Sequence, residues 1–264
     1  MKIAILGTGN LGYSIAVGLL SHDNFNLKNL YLTKRNVDTL SSWNKIPNVK
    51  ISTDNKKAVR FSDVVIIAVQ PNQLQGVLKD IKDFINPKRH TIISVVAGRK
   101  IQDIETVLGT EVALIRAIPN TAISVGQSMT CLSGNKLGNN NIKFATDIFN
   151  SLGKTLCIEE KLMQSATVIC ASGIAFWMRL IRATAQGAVQ LGFHAEEAQE
   201  LSIQTCLGAA SLLIKSGNHP EEEIDKVTTP SGCTIEGLNE MEHQGLSSSI
   251  IKGLVASFEK INQI

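Results

Sequence analysis

From Lys2 to about Ile158 the apolar residues come in short β-branched runs, "KIAIL", "NLYLT", "NVKIS", "DVVIIAV", "TIISVV", "EVALIRAI" and "KTLCIE", separated by helix-length segments of mixed polarity. Runs such as "VVIIAV" and "TIISVV" are apolar throughout, the pattern of strands covered on both faces. Such alternation of strand and helix predicts an α/β doubly wound parallel sheet. The Asn- and Gly-rich "SGNKLGNNN" at 133–141 reads as a loop before a last helix and an edge strand.

Beyond about Glu160 the strand-like runs stop. "LMQSATVICASGIAFWMRLIRATAQGAVQLGF" at 162–193 predicts one long helix, apolar on nearly every face, with small residues such as Ala166, Gly173, Ala185 and Gly187 along it. Such a helix is expected to be buried all round. Roughly one hundred residues in a handful of helices cannot easily cover it, so a second copy of the chain is the expected cover. "AEEAQELSIQTCLGAASLLIKSG" starts acidic and ends Lys-Ser-Gly, "PEEEIDKV" has Pro at its first position, and two closing helices divide near Gly245. The organisation predicted is an α/β domain at 1–160 followed by an all-α domain at 161–264.

Composition narrows the classes. A chain of 264 residues suits two domains, and 44% apolar with 19% charged residues excludes global disorder. A net charge of +3, with Lys and Arg scattered, lacks the basic stripe of a nucleic-acid binder. Five cysteines form no CxxC and no metal-ligand cluster, so no metal site is expected and a reducing cytoplasm fits best. The N-terminal apolar stretch breaks into glycines too early for a signal peptide or membrane span, so no membrane association is expected.

The chemistry begins with "KIAILGTGNLGYSIAVGLL", where Gly7, Gly9 and Gly12 stand in GxGxxG spacing between a strand and a helix. Gly7 permits the tight turn, Gly9 lets a pyrophosphate approach the backbone, Gly12 lets helix and strand pack, and the helix N-terminus favours the anion. This is the dinucleotide site of a Rossmann-type domain. The second strand ends in "YLTKRN" where an NAD-binding unit carries Asp or Glu for the ribose 2′-hydroxyl. Thr33, Lys34, Arg35 and Asn36 instead offer donors and positive charge suited to a 2′-phosphate, so NADPH is the expected cofactor, with NADH weaker.

Read with "VTTPSGCTIEGL" at 227–238, the whole chain resembles the pyrroline-5-carboxylate reductase family, whose members reduce a cyclic imino acid to proline. "GTGNLG" is similar to its cofactor loop (Gly7, Thr8, Gly9, Asn10, Leu11, Gly12), and "STDNKKAV" to its adenosine-side segment with Asn55. "AVQPNQL" (Ala68, Val69, Gln70, Pro71) is similar to its AVKPQ run, while "SVVAG" (Ala97, Gly98) and "RAIPNTAISVGQS" (Asn120, Thr121) resemble segments that wall the nicotinamide. "TPSGCTIEGL" resembles its SPGGTTIxxL substrate loop, implying substrate contacts from Thr229, Ser231, Gly232, Cys233 and Thr234. The sequence departs from the family pattern at Gln70 (usually Lys), Ala122 (Pro), Gln127 (often Glu) and Ile174 (Pro), the first two on the cofactor side. The resemblance further implies a homodimer or higher oligomer with interlocked helices, the substrate loop of one subunit serving the cofactor of its neighbour.

A loop with Glu236 as its one ordinarily charged residue can serve such chemistry because the cofactor carries the hard step. Backbone N–H groups around Ser231, Gly232 and Cys233 can hold a substrate carboxylate, with no Cβ at Gly232 to obstruct it. The Thr234 hydroxyl can accept from an iminium N–H or donate to the product amine, and the resemblance makes Thr234 the residue that touches that nitrogen. The bland alternative is an N-capping turn whose hydroxyls bond backbone. Glu236 fits a first-turn dipole role, and His194, His219 and His243 fit surface or capping roles. A β-hydroxyacid-type dehydrogenase would need a lysine on the long interdomain helix, and none occurs from Met163 to His194. A paralogue reducing a related cyclic imine, or a non-catalytic NADP-binding scaffold, stands as the alternative.

Overall fold

The computed structural model describes residues 1–21, 29–261 and 263. Strands β1 (Lys2–Leu6), β2 (Asn29–Thr33), β3 (Val49–Ser52), β4 (Val64–Ile67), β5 (Thr91–Ser94), β6 (Ala113–Ile118), β7 (Ser128–Gly134) and β8 (Gly153–Cys157) form one sheet ordered 3-2-1-4-5-6-7-8. The first six pair in parallel. β7 runs antiparallel to β6 and parallel to β8. Helices α1 (Asn10–Ser21), α2 (Asn55–Phe61), α3 (Leu74–Ile81), α4 (Ile101–Leu108), α5 (Lys136–Asn140) and α6 (Ile142–Asn150) connect them. Alternate β1 residues serve opposite faces: Ile3 and Ile5 pack with Ile15 and Leu19 of α1 and Phe149 of α6, while Ala4 and Leu6 pack with Val59, Leu78 and Ile104. Strands sandwiched this way are buried on both faces, as β4, β5 and β6 are throughout.

Two features of this unit differ from the sequence reading. β7 is an added strand where "SMTCLSG" was not expected to pair, and α5 replaces part of the expected loop at 133–141. The reason lies in Asn135. Its Oδ1 accepts from Gly138 N at 2.6 Å and Leu114 N at 3.2 Å, and its Nδ2 donates to Val112 O at 3.0 Å. That side chain caps α5 and binds it to the start of β6, so Asn and Gly here serve a capped turn, not a free loop.

By packing, the chain divides into Met1–Ser172 with Phe258–Ile264, and Gly173–Ser257. The division expected at 160/161 therefore marks the change from strands to helices, whereas packing divides at 172/173. Met163 and Ala166 of the short helix α7 (Met163–Ala166) are buried against Ile118 and Cys131. Glu160 Oε1 accepts from Ile101 N at 2.6 Å and from Arg116 Nη1 at 3.2 Å. Burial pushes the Arg116 guanidinium down from its usual range, against the opposing hydrogen bond and charge of Glu160. The expected single helix at 162–193 is α7, a π-helical turn at Thr167–Ser172, and α8 (Gly173–Gln190).

The second unit holds α8, α9 (Ala195–Ser216), α10 (Pro220–Val227), α11 (Cys233–His243) and most of α12 (Leu246–Ile261). α9 ends at Gly217, whose φ of 68° is the left-handed cap expected there. α8 is not buried all round within the chain: Gly173 and Ala185 are its buried residues, while Trp177 and Met178 are 63% and 57% exposed. Leu207, Leu212 and Ile214 of α9 and Ile251 and Val255 of α12 are also exposed. The stretch Glu160–Gln190 is long and apolar enough, by length and composition, to cross a bilayer. An apolar surface of this extent on one protomer requires a cover that the protomer does not supply.

Candidate functional site

The strand order reverses about β1, between β2 and β4, and an open α/β sheet offers its crevice at the carboxyl ends of such strands. A cleft of about 640 Å³ lies there, lined by Gly7, Thr8, Gly9, Thr33, Lys34, Arg35, Asn36, Thr53, Asn55, Ala68, Val69 and Gln70. Gln73, Gly76, Val77 and Asp80 complete it. These four, with Thr53, were not picked out from sequence, although their spacing of three, one and three residues puts them on one helical face.

The loop after β1 is held by three donors on one acceptor. Gly7 N (3.1 Å), Thr8 N (2.9 Å) and Thr8 Oγ1 (3.1 Å) all donate to the Thr33 carbonyl. Gly7 has a φ of +94°, and a Cβ there would lie 2.6 Å from Val69 Cγ1. A Cβ on Gly12 would run into the Gly7 carbonyl oxygen. Gly9 is different: a Cβ there meets no protein atom within 4 Å. The space that glycine keeps free at this position is cleft, which is what close approach of a pyrophosphate requires. The amides of Gly9, Asn10 and Leu11 have no acceptor among the described residues, and α1 carries no acid in its first turn. A phosphate fits these donors and the helix dipole.

At the end of β2 the expected donors divide into two kinds. Thr33 is 1% exposed and its hydroxyl donates to Asn55 Oδ1 at 2.6 Å. Thr8, also buried, has both its amide and its hydroxyl on the Thr33 carbonyl. The expectation that Thr33 offers a free donor is thus corrected, because a buried hydroxyl takes an internal partner. Thr8 and Thr33 position the loop. Lys34 Nζ donates to Thr39 Oγ1 at 2.9 Å, and neither Lys34 nor Arg35 has a carboxylate partner among the described residues. Asp80, also on the cleft wall, pairs with Lys56 at 3.1 Å. The β2 end is therefore a cationic corner without a compensating acid.

Asn10, Leu11, Gly12, Pro71, Ala97, Gly98, Asn120 and Thr121 do not line this cleft. Ala97 and Gly98 follow β5 and Asn120 and Thr121 follow β6, so parallel pairing brings them to the same edge of the sheet. The Asn120 side chain is engaged within the fold. Its Oδ1 accepts from Ala122 N at 2.9 Å and its Nδ2 donates to the Cys170 carbonyl at 2.9 Å. No sequence signal linked Asn120 to a π-helical turn fifty residues on.

In the helical unit, "TTPSG" makes the turn from α10 into α11. Gly232 N donates to Thr229 O at 2.9 Å, and Ser231 takes a φ of 54°. Two expectations are corrected here. The Gly232 amide is occupied by Thr229 and is no free donor, and a Cβ at Gly232 would collide with Thr229 Oγ1. The hydroxyl-capped alternative also fails, since Gly232 is the N-cap and no side chain caps α11. The first-turn amides of Cys233, Thr234 and Ile235 are left without an acceptor among the described residues, as is the half-buried Thr234 hydroxyl. The free donors thus extend to Thr234 and Ile235, two residues beyond the expected set, while the Gly232 amide drops out. Glu236 is exposed in that first turn, as a dipole role requires. His194 and His219 occupy the N-cap positions of α9 and α10, and His243 Nδ1 lies 2.9 Å from Asn239 O.

Comparison with known proteins places these features in a context. Residues 160–264 match the family model for pyrroline-5-carboxylate reductase dimerisation, and residues 2–98 match that for NADP oxidoreductase, coenzyme F420-dependent. The chain is 46% identical to pyrroline-5-carboxylate reductase 1 of Dictyostelium discoideum over 98% of its own length, and spans about half (49%) of that protein. It is 42% identical to pyrroline-5-carboxylate reductase 2 of the same organism, covering 98% of this chain and 91% of that one. Among solved structures it is similar to Plasmodium falciparum pyrroline carboxylate reductase with NADP bound, with a TM-score of 0.89, 26% identity, and 100% and 97% of the two chains covered.

The contrast between the glycines is testable. Gly9→Val should melt at the parental temperature yet bind dinucleotide at least about tenfold more weakly, roughly 1.4 kcal/mol. Gly12→Ala should lower the melting temperature instead, because its Cβ meets backbone. Dinucleotide titration by fluorescence with parallel thermal melts distinguishes them, and unaltered binding by Gly9→Val would remove the phosphate from this loop.

Proposed function

Because the chain belongs to the pyrroline-5-carboxylate reductase family, we infer that it reduces the C=N bond of 1-pyrroline-5-carboxylate to give L-proline, with NADPH as the preferred reductant. When bound, that cofactor supplies the hydride. The chain's own residues do the rest: bind, orient and neutralise. Asn10 and Leu11 amides receive the pyrophosphate at the start of α1, while Lys34 and Arg35 attract the 2′-phosphate of the adenosine ribose. Asn55, fixed by the Thr33 hydroxyl, borders the same end of the cleft. The observation that carries the cofactor reading is the cationic β2 end with no acid to accept from a ribose hydroxyl.

For the imine, the uncapped first turn of α11 supports the reading most directly. Its free amides at Cys233, Thr234 and Ile235 suit the substrate carboxylate, with Ser231 and Thr229 shaping the turn before them. The Thr234 hydroxyl, without an internal partner, is available to hydrogen-bond the ring nitrogen. No ionisable side chain is required, because the protein's part is orientation and electrostatic complement.

The helical region matches a dimerisation domain, and its exposed apolar face supports a homo-oligomer. We take the basic assembly to be a homodimer. Light scattering should return at least twice the 28.5 kDa chain mass, and a fully active monomer would exclude it.

Two substitution experiments test the site. Lys34→Ala with Arg35→Ala should shrink the preference for NADPH over NADH chiefly through the cofactor KM; undiminished discrimination would place the phosphate elsewhere. Thr234→Val, which keeps shape and removes the hydroxyl, should lose about 1.5–3 kcal/mol of transition-state stabilisation, roughly ten- to more than hundredfold in kcat/KM for the imine. NADPH affinity should stay parental, and Glu236→Gln should turn over almost normally. Parental activity of Thr234→Val beside an inactive Glu236→Gln would reassign the site to acid catalysis.

A further inference from the structure

Cys131 and Cys170 lie thirty-nine residues apart in sequence, yet their Sγ atoms are 3.9 Å apart. Cys131 is on β7, 4% exposed, in register with Ile118 of β6 and Leu156 of β8. Cys170 is half-buried, in the π-helical turn, and packs on the small cluster of Ile118, Cys131, Met163 and Ala166. Both are free thiols. We propose that Cys131 and Cys170 form a reversible two-electron thiol–disulfide pair, oxidised by hydroperoxides, that lowers activity by displacing the turn to which Asn120 is bonded.

The asymmetry of the pair says which atom moves and which attacks. A disulfide needs its sulfurs at about 2.05 Å, so they must approach by roughly 2 Å. β7 is held by ladders on both sides, whereas a π-helical turn is a locally irregular piece of backbone. Cys170 is therefore the partner that shifts, and its carbonyl is the acceptor for Asn120 Nδ2 at 2.9 Å. Asn120 in turn caps the turn Thr121–Val125 at the carboxyl end of β6. The consequence for turnover rests on the reading that Asn120 and Thr121 border the nicotinamide; the bond formation does not.

A hydrogen bond with Cys131 lowers the Cys170 thiol below its ordinary value despite burial, and the same interaction raises Cys131. Cys170 is also the more exposed of the two. The Cys170 thiolate attacks the outer oxygen of a hydroperoxide, the O–O bond breaks, and an alcohol (or water) leaves after protonation, giving a sulfenic acid on Cys170. Cys131 sulfur then attacks the Cys170 sulfur, forming S–S and expelling the sulfenic oxygen as water with the Cys131 proton. Two thiols are oxidised by two electrons and one peroxide is reduced.

The test uses the full-length protein, treated with hydrogen peroxide and mapped by mass spectrometry without reduction. A Cys131–Cys170 crosslink should accumulate with the loss of two free thiols, turnover should fall on the same time course, and dithiothreitol should restore both. Cys170→Ala should keep turnover under the same peroxide, and Cys131→Ser should give no crosslink while Cys170 carries the oxidation. Binding of NADPH, followed by its fluorescence, reads the coupling to Asn120 even if the imine assayed is not the substrate. The proposal is overturned if the crosslink does not form, if it forms with turnover and NADPH binding unchanged, or if Cys170→Ala is inactivated like the parent, which would implicate another thiol.

Discussion

The Thr33 carbonyl is the point on which the nucleotide end depends. Three donors from the Gly7–Thr8 turn converge on it, so the loop after β1 cannot be placed without the end of β2. The hydroxyl of the same residue reaches the start of α2 through Asn55. A buried carbonyl and two buried hydroxyls satisfied in this way hold three sequence-distant segments in one geometry. At the cleft this leaves the Gly9 amide without an acceptor, and Lys34 and Arg35 without a carboxylate partner, among the described residues.

The same arrangement recurs in chemical terms at the start of α11. There the turn satisfies the Gly232 amide with the Thr229 carbonyl and leaves the next three amides open. Many helices close their N-terminus with a hydroxyl or carboxylate side chain, at a gain of about 1 kcal/mol. Leaving it uncapped, in a segment containing Thr228, Thr229 and Ser231, forgoes that gain and keeps the amides of Cys233, Thr234 and Ile235 free.

The helical unit is governed by a different constraint. Its helices expose apolar residues that the chain itself does not cover, in line with its family match to a dimerisation domain. The π-helical turn before α8 belongs by packing to the sheet unit, where it meets β7 and Asn120. Its thiol pair thus lies beside structural groups of the site, not on the apolar face.

The doubly wound sheet, the glycine loop, the cationic strand end and the run of closing helices were legible in the sequence because each rests on local rules: two-faced apolar strands, a strand–turn–helix glycine spacing, caps and periodicity. β7 and α5 were not, because an antiparallel strand of mixed polarity and a five-residue helix depend on partners far away, such as Asn135 reaching Leu114 and Val112. Gly9 and Gly232 make the same point in opposite directions. Sequence assigns both glycines to ligand access, and the fold leaves open space beside one and places Thr229 against the other. Which donors are free, and which are engaged inside the protein, follows from long-range hydrogen bonding, and that is decided only when the chain has folded.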